Sequence, residues 1–298
     1  MTDIYCGFVA LIGRPNVGKS TLLNHLLERK VSITSRKPQT TRQRILGIQT
    51  DTNHQTVYVD TPGIHKITPH ALNKYMNKVA MNAARTVDLI VFMSEGIRWT
   101  EEDEYVLKGV SKFNVPIIWV INKIDKVEDK EALIPFIDSM SKQFGFTTVV
   151  PISARRAKDA KRLSEVVRTY LPKVDEFFYP ASEVTDRPEP FMIAELIREE
   201  LLTALGEEVP HLLTVVVEKI ERKPKITVIH AVIFVERDSH KAIVIGKQGT
   251  RLKAIGERSR IAIETFLQRK VFLELWVKVR EGWVDDLKAM RQLGYTEE

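Results

Sequence analysis

Residues 8–20 read FVALIGRPNVGKS, an apolar run followed at once by two glycines spanning four residues and then a Lys-Ser pair. Few local patterns constrain a fold as tightly. The glycines let backbone N–H groups curl inward, and the helix that opens at Lys19 brings its positive end to the same point, so the turn receives phosphate groups. Gly13, Arg14, Pro15, Asn16, Val17 and Gly18 form the cradle, Lys19 reaches toward β and γ oxygens, and the Ser20 hydroxyl is placed to ligate Mg²⁺. A strand feeding such a helix commits this part of the chain to a layered α/β fold.

The rest of the first half agrees. Residues 45–50, 56–60, 88–93, 116–122 and 147–153 join 8–13 as short runs, most of them apolar throughout, as in a parallel sheet covered on both faces. Helical patterns such as KSTLLNHLLE, EEDEYVLKGV and AKRLSEVVRTYL separate them, and DTNHQ predicts a hairpin between the second and third strands. The expected architecture is a doubly wound, mostly parallel sheet over residues 1–173.

Near residue 172 the alternation stops, and a stretch with four prolines follows, which predicts a linker over 174–190. Residues 191–298 then read as helix 191–206, two strands, a short helix near 240–246, a helix over 250–267, a strand over 270–279 and a C-terminal helix. The order α, β, β, α, α, β defines a compact α+β module.

Charge distinguishes the halves. The net charge is +6, yet from His240 to Arg280 ten Lys/Arg stand against three Asp/Glu. An excess confined to one segment points to an anionic polymer. No apolar run approaches the roughly 20 residues of a membrane span, and the lead-in MTDIYC is acidic rather than basic, so neither signal peptide nor anchor is expected. The single cysteine, Cys6, reads as a small buried hydrophobe in a reducing compartment.

Three further motifs bear on the phosphate loop. DTPG, Asp60 to Gly63, closes the third strand with Thr61 and Pro62 inside it, placing a metal-orienting acid beside the loop and the Gly63 N–H toward a γ-phosphate. NKID, Asn122 to Asp125, closes the fifth strand. Asp125 can accept from the N1–H and exocyclic amine of guanine, which adenine does not offer, and leaving a buried carboxylate unpaired there is costly. Asn122 braces the loop, the Lys123 stem lies over the base, and Ile124 completes the motif; Ser153 and Ala154 of ISA bring N–H groups toward the guanine O6. Between the first two motifs, SRKPQTTRQR supplies the second hydroxyl expected at the metal, Thr41, with Thr40 as the alternative. His65 and His70 read as solvated loop residues.

The ordered set GRPNVGKS, QTTR, DTPG, NKID and ISA, followed by VIGKQG, resembles the Era family of bacterial GTPases over both halves of the chain. The resemblance implies a P-loop G domain joined to a type II KH domain, Mg²⁺ with GTP and GDP, and binding to the 3′ end of 16S rRNA during assembly of the 30S subunit. It further implies a cytoplasmic protein, expected as a monomer, some relatives of which attach peripherally to the inner membrane. The position after DTPG, where many small GTPases carry a water-orienting glutamine, holds Ile64, which implies slow intrinsic hydrolysis. Related members hold K⁺ partly through a P-loop asparagine, by position Asn16.

The second glycine loop then acquires a reading. GKQG, Gly246 to Gly249, joins two helices, presents Lys247 and Gln248, and is followed by Arg251, Lys253, Arg258 and Arg260. A KH module uses such a loop against the sugar-phosphate chain of about four nucleotides, with Ile243, Val244 and Ile245 as candidates for the groove that takes the bases; plain core is the competing reading of those three. The rival function is a nucleotide switch whose basic C-terminal module binds protein or membrane head groups.

Overall fold

The structure, a computed structural model, describes residues 3–67, 70–146, 148–206 and 209–296. The first residue of the expected strand 147–153, Thr147, lies outside the described residues. The chain divides into two compact units, one of Met1–Ser32, Thr41–Pro69 and Asn73–Asp186, the other of Ile33–Thr40, His70–Leu72 and Arg187–Glu298.

In the first unit β1 (Ile4–Ile12), β2 (Ile45–Thr50), β3 (His54–Asp60), β4 (Leu89–Glu95), β5 (Ile117–Asn122), β6 (Thr148–Pro151) and β7 (Lys173–Val174) form one sheet in the order 2-3-1-4-5-6, with β7 antiparallel on the start of β1. The β2–β3 pair is antiparallel, closed by the short turn expected at DTNHQ, and the pairs from β3 to β6 are parallel. Buried faces on both sides explain the unbroken apolar runs of β4 and β5. Helices α1 (Lys19–Leu26) and α5 (Ala157–Arg168) pack on one face. On the other face lie α2 (Ala71–Arg85), whose Ala80, Ala83 and Ala84 reach the core, together with α3 (Glu101–Val110) and α4 (Leu133–Phe144). Trp119 anchors that second layer, fully buried, stacked on Phe146 at 4.8 Å and donating its indole N–H to Ser94 at 2.8 Å.

The phosphate loop follows β1, Asp60 ends β3, Asn122 ends β5 and Ser153 follows β6, so every candidate nucleotide residue lies at the carboxyl edge of this sheet. That edge is where open α/β sheets place their ligands. The proline-rich stretch is not a free tether over its first part. Val184 accepts from the Ile48 N–H at 2.8 Å, the Asp186 carboxylate accepts from the Leu46 N–H at 3.1 Å, and Phe178 stacks on Phe8 at 5.5 Å. Residues 178–186 thus cover the exposed edge of β2, satisfying backbone groups that an edge strand leaves unpaired.

The second unit contains α6 (Glu189–Ala204), β8 (Leu213–Arg222), β9 (Thr227–Val235), α7 (Asp238–Ile245), α8 (Thr250–Leu267), β10 (Val271–Val279) and α9 (Leu287–Gln292). Helix α6 starts two residues earlier than the periodicity predicts because Pro188 occupies the N-cap and Pro190 falls in the first turn, where a missing N–H costs nothing. β9 is central, antiparallel to β8 and parallel to β10. Ile193, Ile197, Leu201, Ile229, Ile233, Val244, Ile255 and Ile263 form its core. This is the compact α+β module that the element order predicts, and it agrees with the KH domain that the resemblance implies.

Truncation of Trp119 to alanine should cost about 3–5 kcal/mol of stability. Urea denaturation checks this; a loss under about 1 kcal/mol would mean that the aromatic layer is not what holds that face.

Candidate nucleotide site and glycine loop

Steric demands explain the glycines of the first loop. A side chain at Gly13 would come within 2.5 Å of the Met93 carbonyl, and at Gly18, where φ is +104°, within 2.3 Å of the Asn122 amide. A side chain at Gly63 would stand 2.7 Å from Pro15. The DTPG backbone therefore lies directly on the phosphate loop, and the Ile64 N–H donates to the Gly13 carbonyl at 3.3 Å.

Asn122 ties three motifs together. Its Nδ2 donates to the Val17 carbonyl at 2.6 Å, and its Oδ1 accepts from the N–H of Lys123 at 2.7 Å and of Ala154 at 2.8 Å. Lys123, at φ +62°, donates its ammonium to the Asn16 carbonyl at 2.7 Å and to Glu95 at 2.8 Å. Arg14 is held at 3.2 Å by Asp103, which also caps α3. Neither acid carried a sequence signal, because its partner is distant in sequence: Lys123 lies 28 positions from Glu95 and Arg14 lies 89 from Asp103.

Lys19 and Asp60 face each other across the loop. The Lys19 ammonium donates to the Gly13 and Arg14 carbonyls at 3.0 and 3.1 Å. Asp60 Oδ2 accepts from the hydroxyls of Ser20 at 2.7 Å, Ser32 at 2.8 Å and Thr41 at 3.4 Å, and Ser20 and Thr41 stand 2.8 Å apart. Ser32 was not expected; nothing in its local pattern separates it from any loop serine. Thr40, by contrast, donates its hydroxyl to the Lys37 carbonyl at 2.7 Å. Burial pushes the Asp60 carboxyl up, opposed by Lys19 and the hydroxyls, and burial pushes Lys19 down to about 8, opposed by Asp60. Desolvation outweighs their attraction on both sides. Asp60 Oδ1 is buried without a hydrogen-bond partner among the described residues. An orphaned carboxylate oxygen beside two further hydroxyl oxygens is a hard-oxygen set that fits Mg²⁺.

Three expectations change in detail. Asp125 is exposed rather than buried, with the Ser153 hydroxyl holding its carboxyl below the ordinary value. The N–H groups of Ser153 and Ala154 are committed to Asp159 and Asn122, so this loop braces the site more than it offers donors. His65 is not a solvated residue: its backbone is clamped on both sides by Asn77, and burial lowers its ring below the usual value. His70 does stand exposed, 3.0 Å from Asp285. Ile64 is 2% exposed and belongs to the core cluster with Ile12 and Phe92.

In the second unit Gly246 and Gly249 take φ of +73° and +77°, and a side chain at Gly246 would meet Arg251 at 2.6 Å. Gln248 also has positive φ, so the tip is a tight, exposed turn with Lys247 and Gln248 outward. Thr250 closes it by donating its hydroxyl to the Lys247 carbonyl at 2.8 Å. Lys253 is exposed on α8, while Arg258 and Arg260 are paired with Glu200 and Glu264. Of the groove candidates, Val244 is core, Ile245 packs against the core and Ile243 is 40% exposed.

Residues 8–123 match a family model described as a 50S ribosome-binding GTPase, and residues 208–284 match a KH domain. A GTPase Era of Ectopseudomonas mendocina is 49% identical over 290 residues, 97% of each chain. One from Pseudomonas aeruginosa is 47% identical, covering 99% of each. A solved structure of an Aquifex aeolicus Era variant bound to GDP and AlF₄⁻ is similar at a TM-score of 0.95, with 39% identity over 99% of this chain and all of that one. An Era structure with MgGDPNP and nucleotides 1506–1542 of 16S ribosomal RNA is similar at 0.94, also with 39% identity over 99% of this chain.

The Lys19 ammonium gives a pH test. Its value in the fold lies below the unfolded value near 10.4, so between about 8 and 10.4 the unfolded chain binds more protons and the destabilisation from this group, full below about 8, fades as pH rises. In nucleotide-free protein the stability advantage of Lys19→Met over wild type should be largest near pH 7 and shrink by up to about 3 kcal/mol toward pH 10.5, as read by urea denaturation. A difference independent of pH would contradict the buried, desolvated ammonium.

Proposed function

The chain belongs to the Era family of GTPases, and from that premise we propose that it is a GTP-driven switch that binds the 3′ end of 16S rRNA through its KH unit during assembly of the 30S subunit. The observation that carries the nucleotide half is Asp60, which gathers the hydroxyls of Ser20 and Thr41 on one buried oxygen and keeps the other without a partner among the described residues, opposite Lys19. Ser20, Thr41 and Asp60 hold Mg²⁺ in this reading. Bound there, the ion neutralises charge on the β- and γ-phosphate oxygens.

The residues then have defined work. N–H groups of Gly13 to Ser20 cradle the phosphates, Lys19 gives up its bonds to Gly13 and Arg14 for phosphate oxygens, and the Gly63 N–H, held against Pro15, faces the γ-phosphate. Asp125 reads guanine, and Asn122 keeps its loop in register with the phosphate loop. With Ile64 in the core, the position that holds glutamine in many small GTPases does not orient an attacking water, and a slow intrinsic rate is expected. Asn16, at φ +62°, offers its side chain at the loop's tip as part of a K⁺ site.

On the RNA side, Lys247, Gln248 and the Gly246 and Gly249 backbone grip the sugar-phosphate chain, Arg251, Lys253 and Arg258 add charge along α8, and Ile245 with Ile243 lines the base groove. In this reading the partner is the 30S subunit and the work is cytoplasmic.

Three measurements test this. Replacing Lys247 and Gln248 together by aspartate should weaken binding of an oligonucleotide from the 16S 3′ end by at least about 100-fold while GTP affinity stays within about twofold. Undiminished RNA binding, or transfer of binding to anionic vesicles, would favour the rival reading of the basic unit. Asp125→Asn should move preference from guanine to xanthine nucleotides, and retained GTP selectivity would refute the assignment. Asn16→Ala should abolish any difference between hydrolysis rates in K⁺ and Na⁺; an unchanged ratio removes Asn16 from the ion's site.

A further inference from the structure

Ser32 lies in the stretch after α1, is 1% exposed and belongs to the same compact unit as Asp60. Asn24, in the last turn of α1, grips the backbone around it. Its Oδ1 accepts from the N–H of Val31 and of Ser32, both at 2.9 Å, and its Nδ2 donates to the Ser32 carbonyl at 2.7 Å. Held in this way, the Ser32 hydroxyl donates to Asp60 Oδ2 at 2.8 Å across 28 positions of chain. Neither Asn24 nor Ser32 has a part in the phosphate cradle, the base-reading loop or the hydroxyl pair assigned to the cation.

A carboxylate turns easily about its last bond, so its hydrogen bonds decide which oxygen faces which partner. Asp60 Oδ2 collects three hydroxyls, and Oδ1 has no partner among the described residues. The three donors are not equivalent. Ser20 and Thr41 stand 2.8 Å apart and are the ligands expected at Mg²⁺, and a loop threonine of this kind is released once the γ-phosphate is gone. Ser32 depends on neither metal nor nucleotide, because its backbone is tied to α1 on both its N–H and its carbonyl side. Alanine would occupy the same buried space with no polar group to satisfy. What the hydroxyl adds is a permanent hold on one oxygen of the acid.

We propose that Ser32, held by Asn24, is a positioning residue for GTP hydrolysis: it pins Asp60 Oδ2 and so keeps Oδ1 presented to the hydrated Mg²⁺ of the bound nucleotide. The proposal rests on Asp60 as the acid that orients the metal. Asn24 acts one bond further out, through the peptide that carries Ser32. An effect of either residue on positioning therefore shows when Mg²⁺ is present and vanishes when it is removed, whereas a contribution to packing alone would show in both conditions.

The test uses the full chain and two readouts, steady-state GTP hydrolysis and the release of a fluorescent GDP analogue as Mg²⁺ is varied. Ser32→Ala should lower kcat by at least about tenfold with KM for GTP within about twofold, and should raise by at least about tenfold the Mg²⁺ concentration that half-maximally slows GDP release. Release in EDTA should stay within about twofold of wild type. Ser32→Cys, close in size but a weaker donor, should fall between the two. Asn24→Ala should shift the Mg²⁺ dependence in the same direction by less, and the double variant should match Ser32→Ala, since both residues act through one hydrogen bond. Unchanged Mg²⁺ dependence in Ser32→Ala, or in Asn24→Ala where Ser32→Ala does not fold, would overturn the proposal. So would GDP release accelerated equally in EDTA, which would leave Ser32 a packing role alone. Asp60→Asn separates the two readings: if it leaves Mg²⁺ dependence intact, the metal assignment fails, whereas a strong Asp60→Asn effect beside an inert Ser32→Ala sinks only the role of Ser32.

Discussion

Asp60 sits fully buried with one oxygen shared among three hydroxyls and the other on none. A carboxylate in that state is unfavourable by itself, and Lys19, also desolvated, does not make up the difference. The arrangement makes sense as half of an electrostatic set whose other half arrives with the nucleotide and its cation. Ser20 at the start of α1, Ser32 after it and Thr41 before β2 come from three separated stretches, and one carboxylate gathers them. The site is thus preorganised for charge that the chain itself does not carry, and its stability without nucleotide is lowered accordingly.

Asn122 provides the mechanical counterpart. Its amide sits where any side chain at Gly18 would be, and its hydrogen bonds lock the phosphate loop, the base-reading loop and the loop after β6 into one frame. A rigid frame with one movable ligand is how a nucleotide switch separates recognition from signalling.

Much of this was legible in the amino-acid sequence. The phosphate loop, DTPG and NKID are local patterns whose spacing follows from the strand-turn-helix geometry they occupy, and α8 appears over the residues its periodicity predicts. What was not legible depends on partners distant in sequence. Ser32 looks like any loop serine until β3 brings Asp60 to it. Asp103 looks like a helix-capping acid, which it also is, until Arg14 reaches it. Arg198 and Glu199 sit in a helix whose pattern permits solvated charges, and only the packing of residues 33–40 buries them. Residues 178–186 read as a linker because prolines and polar residues signal irregular backbone, a signal that says nothing about whether that backbone covers a sheet edge.

The central claim is that one chain joins a Mg²⁺-dependent GTP site to a KH loop that reads ribosomal RNA. Steady-state GTP hydrolysis measured with and without an oligonucleotide from the 3′ end of 16S rRNA tests it most directly. The account predicts a faster rate with RNA, lost when Lys247 and Gln248 are both aspartate. A rate indifferent to RNA at concentrations that saturate binding would contradict it.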